Sequence, residues 1–420
     1  MTSTSSTGST AEGRPRAEKV SAGRIHWRII SLNRTSIKVR KKECYTSNFA
    51  LFWESFDFLN SFNVLIMPEK IKLDLSIVII NYNTNNLTCQ CIKSIIAETN
   101  NISYEIIVVD NDSRKEDPNY IKYTFKEITL VKNNKNIGFA GGNNLGISIS
   151  KSKFILLLNS DTIIQDSAIE KCFLYLKANL DSVSLLSCKL LNEDKSFQLS
   201  TSGREPKTYS FFMHMLYELQ ENNPFLYHLG FYRVLLKFKN TIQSIKAELP
   251  YSYENDIFNT MHVSGAFMMF PVNLLHKVGS LDNDFFMYYE ETEWLHRMWN
   301  KGHKIVYYPH VSIIHLGGSS GGSQKMVAQK IISKTLMYYK LSGLKGYILI
   351  NIVNAINFIC NVIAIPFLGK NGRMVSIGFI KNYPKVLSQL FTIPMRYNRD
   401  VSTGCDPLIS NDLEPVKIYK

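Results

Sequence analysis

From residue 75 onward the chain repeats short apolar runs rich in Ile, Val and Leu: Leu75 to Ile80, Glu105 to Val109, Ile128 to Val131 and Phe154 to Leu158. Bounded by polar clusters, such runs read as strands buried on both faces. Helical spacing lies between them, in Leu87, Cys91, Ile92, Ile95 and Ile96 and in a shorter stretch from Gly142 to Ser150. Strands alternating with helices predict βαβ units around a parallel sheet, an α/β fold. Ala168 to Leu180 predicts a further helix. The pattern then weakens, and it returns from Val263 to about Leu316.

Both flanks differ from this core. Residues 1 to 48 are rich in Ser, Thr, Lys and Arg, poor in acids and without apolar periodicity, so they are expected to be disordered. No secretory apolar region is present there, although the composition would suit an organellar transit peptide. Met67 is an alternative start, which would leave residues 1 to 66 outside the fold as an extension. Residues 201 to 262 crowd aromatic and basic groups (Tyr209, Phe212, Tyr217, Tyr227, Arg233, Lys237) into an insertion. From Gly346 to Gly369 the chain carries no charge, a length that suits a membrane span. Asn351, Asn354, Asn357 and Asn361 nevertheless fall on one helical face and Pro366 interrupts the end, which favours a helix lying on a membrane or on protein over a span. Lys370, Arg373, Lys381, Lys385, Arg396 and Arg399 follow, and they suit anionic lipid or a solvated basic face equally.

Composition adds little to the class and something to the partners. Hydrophobic content of 45% and charged content of 20% are those of a globular chain, and the formal charge of +13 favours anionic partners: nucleic acid, membrane or a phosphorylated substrate. Seven cysteines without C-x-x-C spacing signal neither a zinc site nor a disulfide framework. A reducing compartment is the simplest reading.

Candidate chemistry gathers where predicted strands end. Leu156-Leu157-Leu158-Asn159-Ser160-Asp161 is an apolar run that stops on a carboxylate, and ligands of open α/β sheets bind beyond the carboxyl ends of strands. Asp161 is either a metal and phosphate handler or the cap of the following helix. The strand to Val109 likewise runs into Asp110-Asn111-Asp112-Ser113, where carboxylates can accept from a ribose hydroxyl or a base N–H, or form an Asx turn. Asn136 to Gly146 is dense in glycine and leads into a helix, an arrangement that lets backbone approach an anion. In Asp282 to Leu295 acids stand among aromatic rings. Glu290, Glu291 and Glu293 either complement a helix dipole or supply a general base whose proton affinity the rings raise. His315 ends the apolar run Val311 to Ile314 before a Gly-Gly-Ser-Ser-Gly-Gly loop, as a structural histidine or as a metal ligand beneath a closing flap.

Taken in order and spacing, VIINYN (78 to 83), VVDNDS (108 to 113), NIGFAGGNNLG (136 to 146), LLLNSD (156 to 161), SGAFMMFP (264 to 271), DFFMYYEETEWLHRMWNKGHKIVYYP (284 to 309) and HLGGSS (315 to 320) resemble family 2 glycosyltransferases, most closely the rhamnosyltransferase-like branch of bacterial surface-polysaccharide synthesis. The resemblance covers about residues 73 to 340. It implies a GT-A fold, a nucleotide-sugar-binding sheet with an acceptor-binding half behind it. On this reading residues 67 to 340 form the catalytic domain, with a donor half to 200 and an acceptor half from 263. Residues 341 to 420 form a helical, membrane-associating region.

The same resemblance places Asn81, Asp110 and Asp112 at the nucleoside, and Gly142, Asn143 and Ser160 at the donor. Asp161 takes the last position of a D-x-D metal motif reduced here to Asn-Ser-Asp, with His315 as an additional ligand of Mg2+ or Mn2+. Glu291 takes the place of the catalytic base, supported by Glu290, Glu293 and Gly265. The implied activity is inverting, metal-dependent sugar transfer, with dTDP-rhamnose as the donor and a polyprenyl-diphosphate-linked or other saccharide as acceptor. The implied setting is peripheral, on the cytoplasmic face of the inner membrane, with no nucleic-acid partner. Two other classes remain open: a non-catalytic nucleotide- or glycan-binding subunit, and a sugar nucleotidyltransferase.

Overall fold

The computed structural model describes residues 29 to 33, 36 to 40, 73 to 198, 255 to 317 and 324 to 367, parts of 373 to 397, and 417 to 419. Two units divide the chain at residue 70. In the first, β1 (Ile29–Asn33) and β2 (Ser36–Arg40) pair antiparallel, with Ile30 opposite Val39 and Leu32 opposite Ile37. The rest of residues 1 to 48, expected to be disordered, lies outside the described residues. The β-branched residues Ile29, Ile30, Ile37 and Val39 favour a strand even without a clean alternation.

The second unit is built on four parallel strands. β3 (Leu75–Asn81) leads through α1 (Asn85–Glu98) to β4 (Tyr104–Asp110), and α2 (Asn119–Thr124) leads to β5 (Thr129–Lys132). α3 (Gly138–Ser148) then crosses back to β6 (Phe154–Asn159) on the other side of β3. α3 starts a turn earlier than the Gly142 start read from the sequence. β3 therefore stands where the strand order reverses, the crevice that binds ligands in such sheets. Its core residues Leu75, Ile77, Val78 and Ile79 are all fully buried, as expected of a strand covered on both faces.

Beyond β6 the sheet becomes mixed. The chain continues through β7 (Thr162–Ile163), α4 (Ala168–Ala178), β8 (Leu185–Leu191), β9 (Phe197–Gln198), β10 (Phe258–Thr260) and β11 (Phe267–Pro271). β11 runs antiparallel to β6, with Phe267 opposite Leu158, so the parallel sheet read from the strand–helix alternation of the first half becomes mixed here. An antiparallel neighbour needs no crossover helix, which is why alternation in the first half could not foretell it. The insertion at 201 to 262 lies largely outside the described residues.

The remaining elements are α5 (Asn273–Val278), α6 (Glu290–Asn300), β12 (Ile305–His315), the long α7 (Gln324–Ala364), α8 (Ile393–Arg396) and β13 (Lys417–Tyr419), the last pairing with β5. β12 runs parallel to β8 through a register shift between Tyr308 and Ser312, which carries its end to β7 and sets His315 opposite Thr162. α6 buries Trp294, Leu295 and Met298 against β11, with the indole edge-on to Phe270 and its N–H donating to the Gly279 carbonyl at 2.9 Å. α7 is broken at Gly343, whose φ of 62° and ψ of −151° lie outside the helical region.

α3 packs so closely on β3 that a Cβ at Gly146 would stand 2.3 Å from the Val78 side chain. Helix propensity favours Ala by roughly 1 kcal/mol, whereas overpacking a β-branched neighbour costs about 1–3 kcal/mol. Gly146→Ala should therefore lower the urea midpoint of unfolding rather than raise it.

Candidate active site

Parallel register sets the first part of the site. Asn81 on β3 is level with Asp110 on β4, and Ile80 is level with Asn159 on β6, so all three chain exits open on one edge. The buried Asn81 amide donates to Asp110 Oδ1 at 2.7 Å and to Asn85 Oδ1 at 3.0 Å, while its oxygen accepts from Thr88 at 2.8 Å. Asp110 also accepts from the Ser113 backbone and hydroxyl, at 3.1 and 2.5 Å. Asp112 adopts a left-handed φ of 62° and pairs with the exposed Arg114 at 2.7 Å. Asp110, Asp112, Ser113, Arg114, Lys132 and Asn133 help to line a polar cleft of about 420 Å³. A cleft lined by both carboxylates and cations can take a base and ribose on acceptors and a phosphate on donors.

A second group forms around Asp161. Its Oδ1 lies 3.3 Å from His315 Nε2, which is also 3.4 Å from the Asn159 side-chain nitrogen. His315 Nδ1 stands 2.7 Å from Gln198 Oε1. The Gln198 amide nitrogen donates to Asn192 Oδ1 at 2.9 Å and to the His315 carbonyl at 3.3 Å, which fixes the oxygen toward the ring. An oxygen acceptor there puts the ring proton on Nδ1 and leaves the Nε2 lone pair facing a carboxylate. Two acceptors in contact need a cation or a proton between them. A carboxylate and an imidazole whose far nitrogen is held by an amide form a fitting donor pair for a divalent cation, Mn2+ being better matched to the imidazole than Mg2+. No group of three or more His, Cys, Asp or Glu able to hold a metal occurs among the described residues, so oxygens from a ligand would have to complete the shell.

The third group is the acidic loop before α6. Tyr288 and Tyr289 both have left-handed φ, 70° and 67°, costing roughly 1–2 kcal/mol each for a residue with a Cβ. Those two residues turn the chain so that Glu290 and Glu291 open the helix. Burial raises the proton affinity of both. Glu290 is pushed up further, because the Glu291 carboxylate beside it opposes its ionisation, while contact with Glu290 draws Glu291 back down. The two carboxyls therefore titrate as a pair, with Glu290 the more strongly raised of the two. Gly265 faces it, with an ideal Cβ position 3.9 Å from Glu291 Cγ. The next residue, Ala266, accepts from the Asn159 backbone at 3.1 Å, which ties this group to the strand that leads to Asp161.

Several candidates sit otherwise than the sequence suggests. Asp161 does not cap the next helix, since α4 starts at Ala168 behind Ser167. Gly142 and Asn143 are buried within α3: a Cβ at Gly142 would meet the Asn111 amide at 3.0 Å, and Asn143 donates to the Phe139 carbonyl at 3.0 Å. The close approach made by this glycine segment is to protein. Gly138, at φ +80°, leaves room for the Phe286 carbonyl, which a Cβ would meet at 2.1 Å, and Phe139 N–H donates to that carbonyl at 2.7 Å. Glu293 is held by Arg297 through two bonds of 2.7 Å, and Arg297 also donates to the Val278 and Ser280 carbonyls, so its part is to brace the α6 turn. Ser160 lies 3.5 Å from the Thr84 hydroxyl at the start of α1. The glycine flap after Gly317 lies outside the described residues. Gln198 and Gly138 escape sequence reasoning: one acts across more than a hundred residues, and the other looks like any glycine in a loop.

Residues 76–239 match the family described as Glycosyl transferase family 2. That match takes in about two fifths of the chain, including β3 to β9 of the mixed α/β sheet. The chain is 25% identical over 239 residues to a low-salt glycan biosynthesis hexosyltransferase of Haloferax volcanii, covering 56% of this chain and 64% of that one. It is 30% identical over 125 residues to a poly(ribitol-phosphate) beta-glucosyltransferase of Bacillus spizizenii, covering 29% and 20%. The match thus spans under two thirds of either relative. A mannosyltransferase from Pyrobaculum calidifontis, solved in complex with GDP-Man and Mn2+, is similar at 12% identity with a TM-score of 0.42 over 79% of this chain and 90% of that one.

Gln198→Leu frees the His315 ring and should weaken Mn2+ binding by about ten- to a hundredfold in calorimetric titration with a nucleoside diphosphate present. Arg297→Met strands Glu293, whose proton affinity burial already raises, and should cost about 3–5 kcal/mol near neutral pH. A buried acid with raised affinity favours the folded state when protonated, so the deficit should shrink as pH falls in denaturant titrations.

Proposed function

We propose that the chain is an inverting glycosyltransferase that moves a sugar from a nucleoside-diphosphate donor to an acceptor hydroxyl. The carrying observation is the Glu290–Glu291 pair opposite Gly265, tied through Ala266 and Asn159 to the Asp161–His315 pair on the sheet edge that holds Asp110. A general base and an anion-handling pair on one edge suit a displacement that consumes a hydroxyl proton and releases a diphosphate.

Asp110 and Asp112 take the nucleoside in the cleft beyond β4. Asp161 and His315 would hold a divalent cation, which when bound neutralises the diphosphate as it leaves. Glu291 accepts the acceptor's proton as its oxygen bonds to the anomeric carbon and the bond to the diphosphate breaks on the opposite face. One displacement inverts that centre, and no enzyme nucleophile is needed. Glu290 keeps its proton and steadies the Glu291 carboxylate. Its buried Oε2 has no partner among the described residues, which leaves that oxygen for substrate or water.

The resemblance of residues 264 to 309 makes dTDP-rhamnose the first donor to try. Basic charge and the apolar α7 favour an acceptor saccharide on a polyprenyl diphosphate, met at the cytoplasmic face of the membrane. A bare sugar-binding subunit would not need two carboxyls of raised proton affinity, and a nucleotidyltransferase would release diphosphate from a nucleoside triphosphate instead.

Nucleoside diphosphate release across a donor panel tests the reading. Glu291→Gln should lower kcat by about a thousandfold with donor affinity held within about twofold, and Asp161→Ala should abolish stimulation by the cation. Full cation-dependent activity in Asp161→Ala would overturn the assignment. Because burial raises Glu291 above the ordinary 4.5 of a glutamate, kcat/KM should rise with pH along a limb displaced toward neutrality. Glu290→Leu removes the neighbour that lowers Glu291 and should move that limb higher, whereas Glu290→Gln, which still donates a hydrogen bond, should leave it in place.

A further inference from the structure

α7 has two jobs on its two halves. Before the break at Gly343 it grips the acidic loop: Ser333 donates to the Met287 carbonyl at 2.7 Å, and the buried Lys340 pairs with Asp282 at 2.5 Å and also with Asp284. Phe285 and Tyr289 pack with Leu336 and Tyr338 in the same cluster. After the break, the helix turns its amides inward. Asn354, Asn357 and Asn361 are buried, and Asn354 donates to the Thr335 hydroxyl at 3.2 Å. The return segment covers that face, with Phe358 stacked on Tyr383 at 4.3 Å and the Tyr347 hydroxyl donating to the Leu390 carbonyl.

Opposite the amides runs a stripe left exposed by the described residues. Ile348, Ile352, Ile356, Ile359 and Ile363 follow helical spacing and are 38–55% exposed. The uncharged part of the helix beyond Lys345 is roughly 30 Å long at 1.5 Å per residue. A row of bulky aliphatics of that length is far more than scattered surface apolar residues explain. Cations stand exposed at both ends, Lys345 at the start and Arg373, which donates to the Pro366 carbonyl, past the far end. Apolar length between two cationic ends complements a leaflet, whose acyl boundary takes the isoleucines while its anionic headgroups meet the cations. A span would carry Arg373 across the bilayer, away from the catalytic half, whereas lying flat keeps both ends of the helix at one headgroup layer.

We propose that this stripe beds α7 in the plane of one anionic leaflet, and that the Lys340 and Ser333 contacts on the same helix hold the Glu290–Glu291 loop at a fixed height above it. Resting on the functional reading for its second half only, this identifies the acceptor as one anchored in that leaflet. The seat on lipid stands independently of any catalysis.

Sedimentation of the full chain with vesicles of equal parts phosphatidylglycerol and phosphatidylcholine tests it, with Leu174→Asp as an exposed control on α4. Wild type should bind, should bind less at high salt or on pure phosphatidylcholine, and should be released by alkaline carbonate. The triple variant Ile352→Asp/Ile356→Asp/Ile359→Asp should partition at least about a hundredfold more weakly, with unchanged thermal unfolding and unchanged binding of nucleoside diphosphate. Leu174→Asp should behave as wild type. No vesicle binding by wild type, or equal binding by the triple variant, would overturn the proposal. So would carbonate resistance, which indicates a span, or a vesicle-independent dimer that the triple variant dissolves, which indicates a second copy of the chain. Nucleotide binding in the same samples reports separately on the donor site, so failure of the seat and failure of the enzymatic reading give different results.

Discussion

Everything in the second unit depends on the register of β3 between β4 and β6. Side chains alternate faces along a strand, so slipping β3 by one residue against either neighbour would exchange the residues that pack into the two cores on its faces. The same slip would take Asn81 away from Asp110, and with it the bonds to Asn85 and Thr88 that carry the exit of β3 into α1. Burial of Leu75, Ile77 and Ile79 on one face and Val78 on the other leaves no tolerable alternative. A hydrophobic requirement thereby positions polar chemistry at the strand ends.

Contacts between distant segments then assemble that chemistry. The Phe286 carbonyl fits against α3 only because Gly138 has no side chain, and the Ala266 carbonyl accepts from Asn159 across the β6–β11 pair. Each contact belongs to a backbone group. The acidic loop is held from both sides, by α3 below and by Ser333 and Lys340 of α7 above. Such bracing is what offsets two tyrosines in left-handed backbone and a pair of carboxyls in a dry setting. Electrostatic strain and conformational strain fall on adjacent residues, which is where a base of raised proton affinity would be useful.

Much of this was legible beforehand. The apolar runs at 75, 105, 128 and 154 announce their strands, because a doubly covered strand has no polar positions to confuse the pattern. The acids at 110, 112 and 161 announce an edge, because a carboxylate after an apolar run has few places to go. The Asn stripe in α7 announces a face turned to protein. Gly142 is less legible for a physical reason: it clears space for Asn111 and Ile80, a packing need that periodicity does not show. Glu293 pairs with Arg297 one helical turn on, and only the fold sets the Val278 and Ser280 carbonyls around that guanidinium.

By itself, then, the sequence determined which segments must be buried strands and helices and which residue types end them, since periodicity and side-chain chemistry are local properties. Tertiary structure alone decided that β11 joins antiparallel, that Gln198 orients His315, that Glu290 and not Glu293 shares its proton problem with Glu291, and that the isoleucines of α7 are left facing outward. These are properties of pairs far apart in the chain, and their energies exist only once burial has brought the partners together.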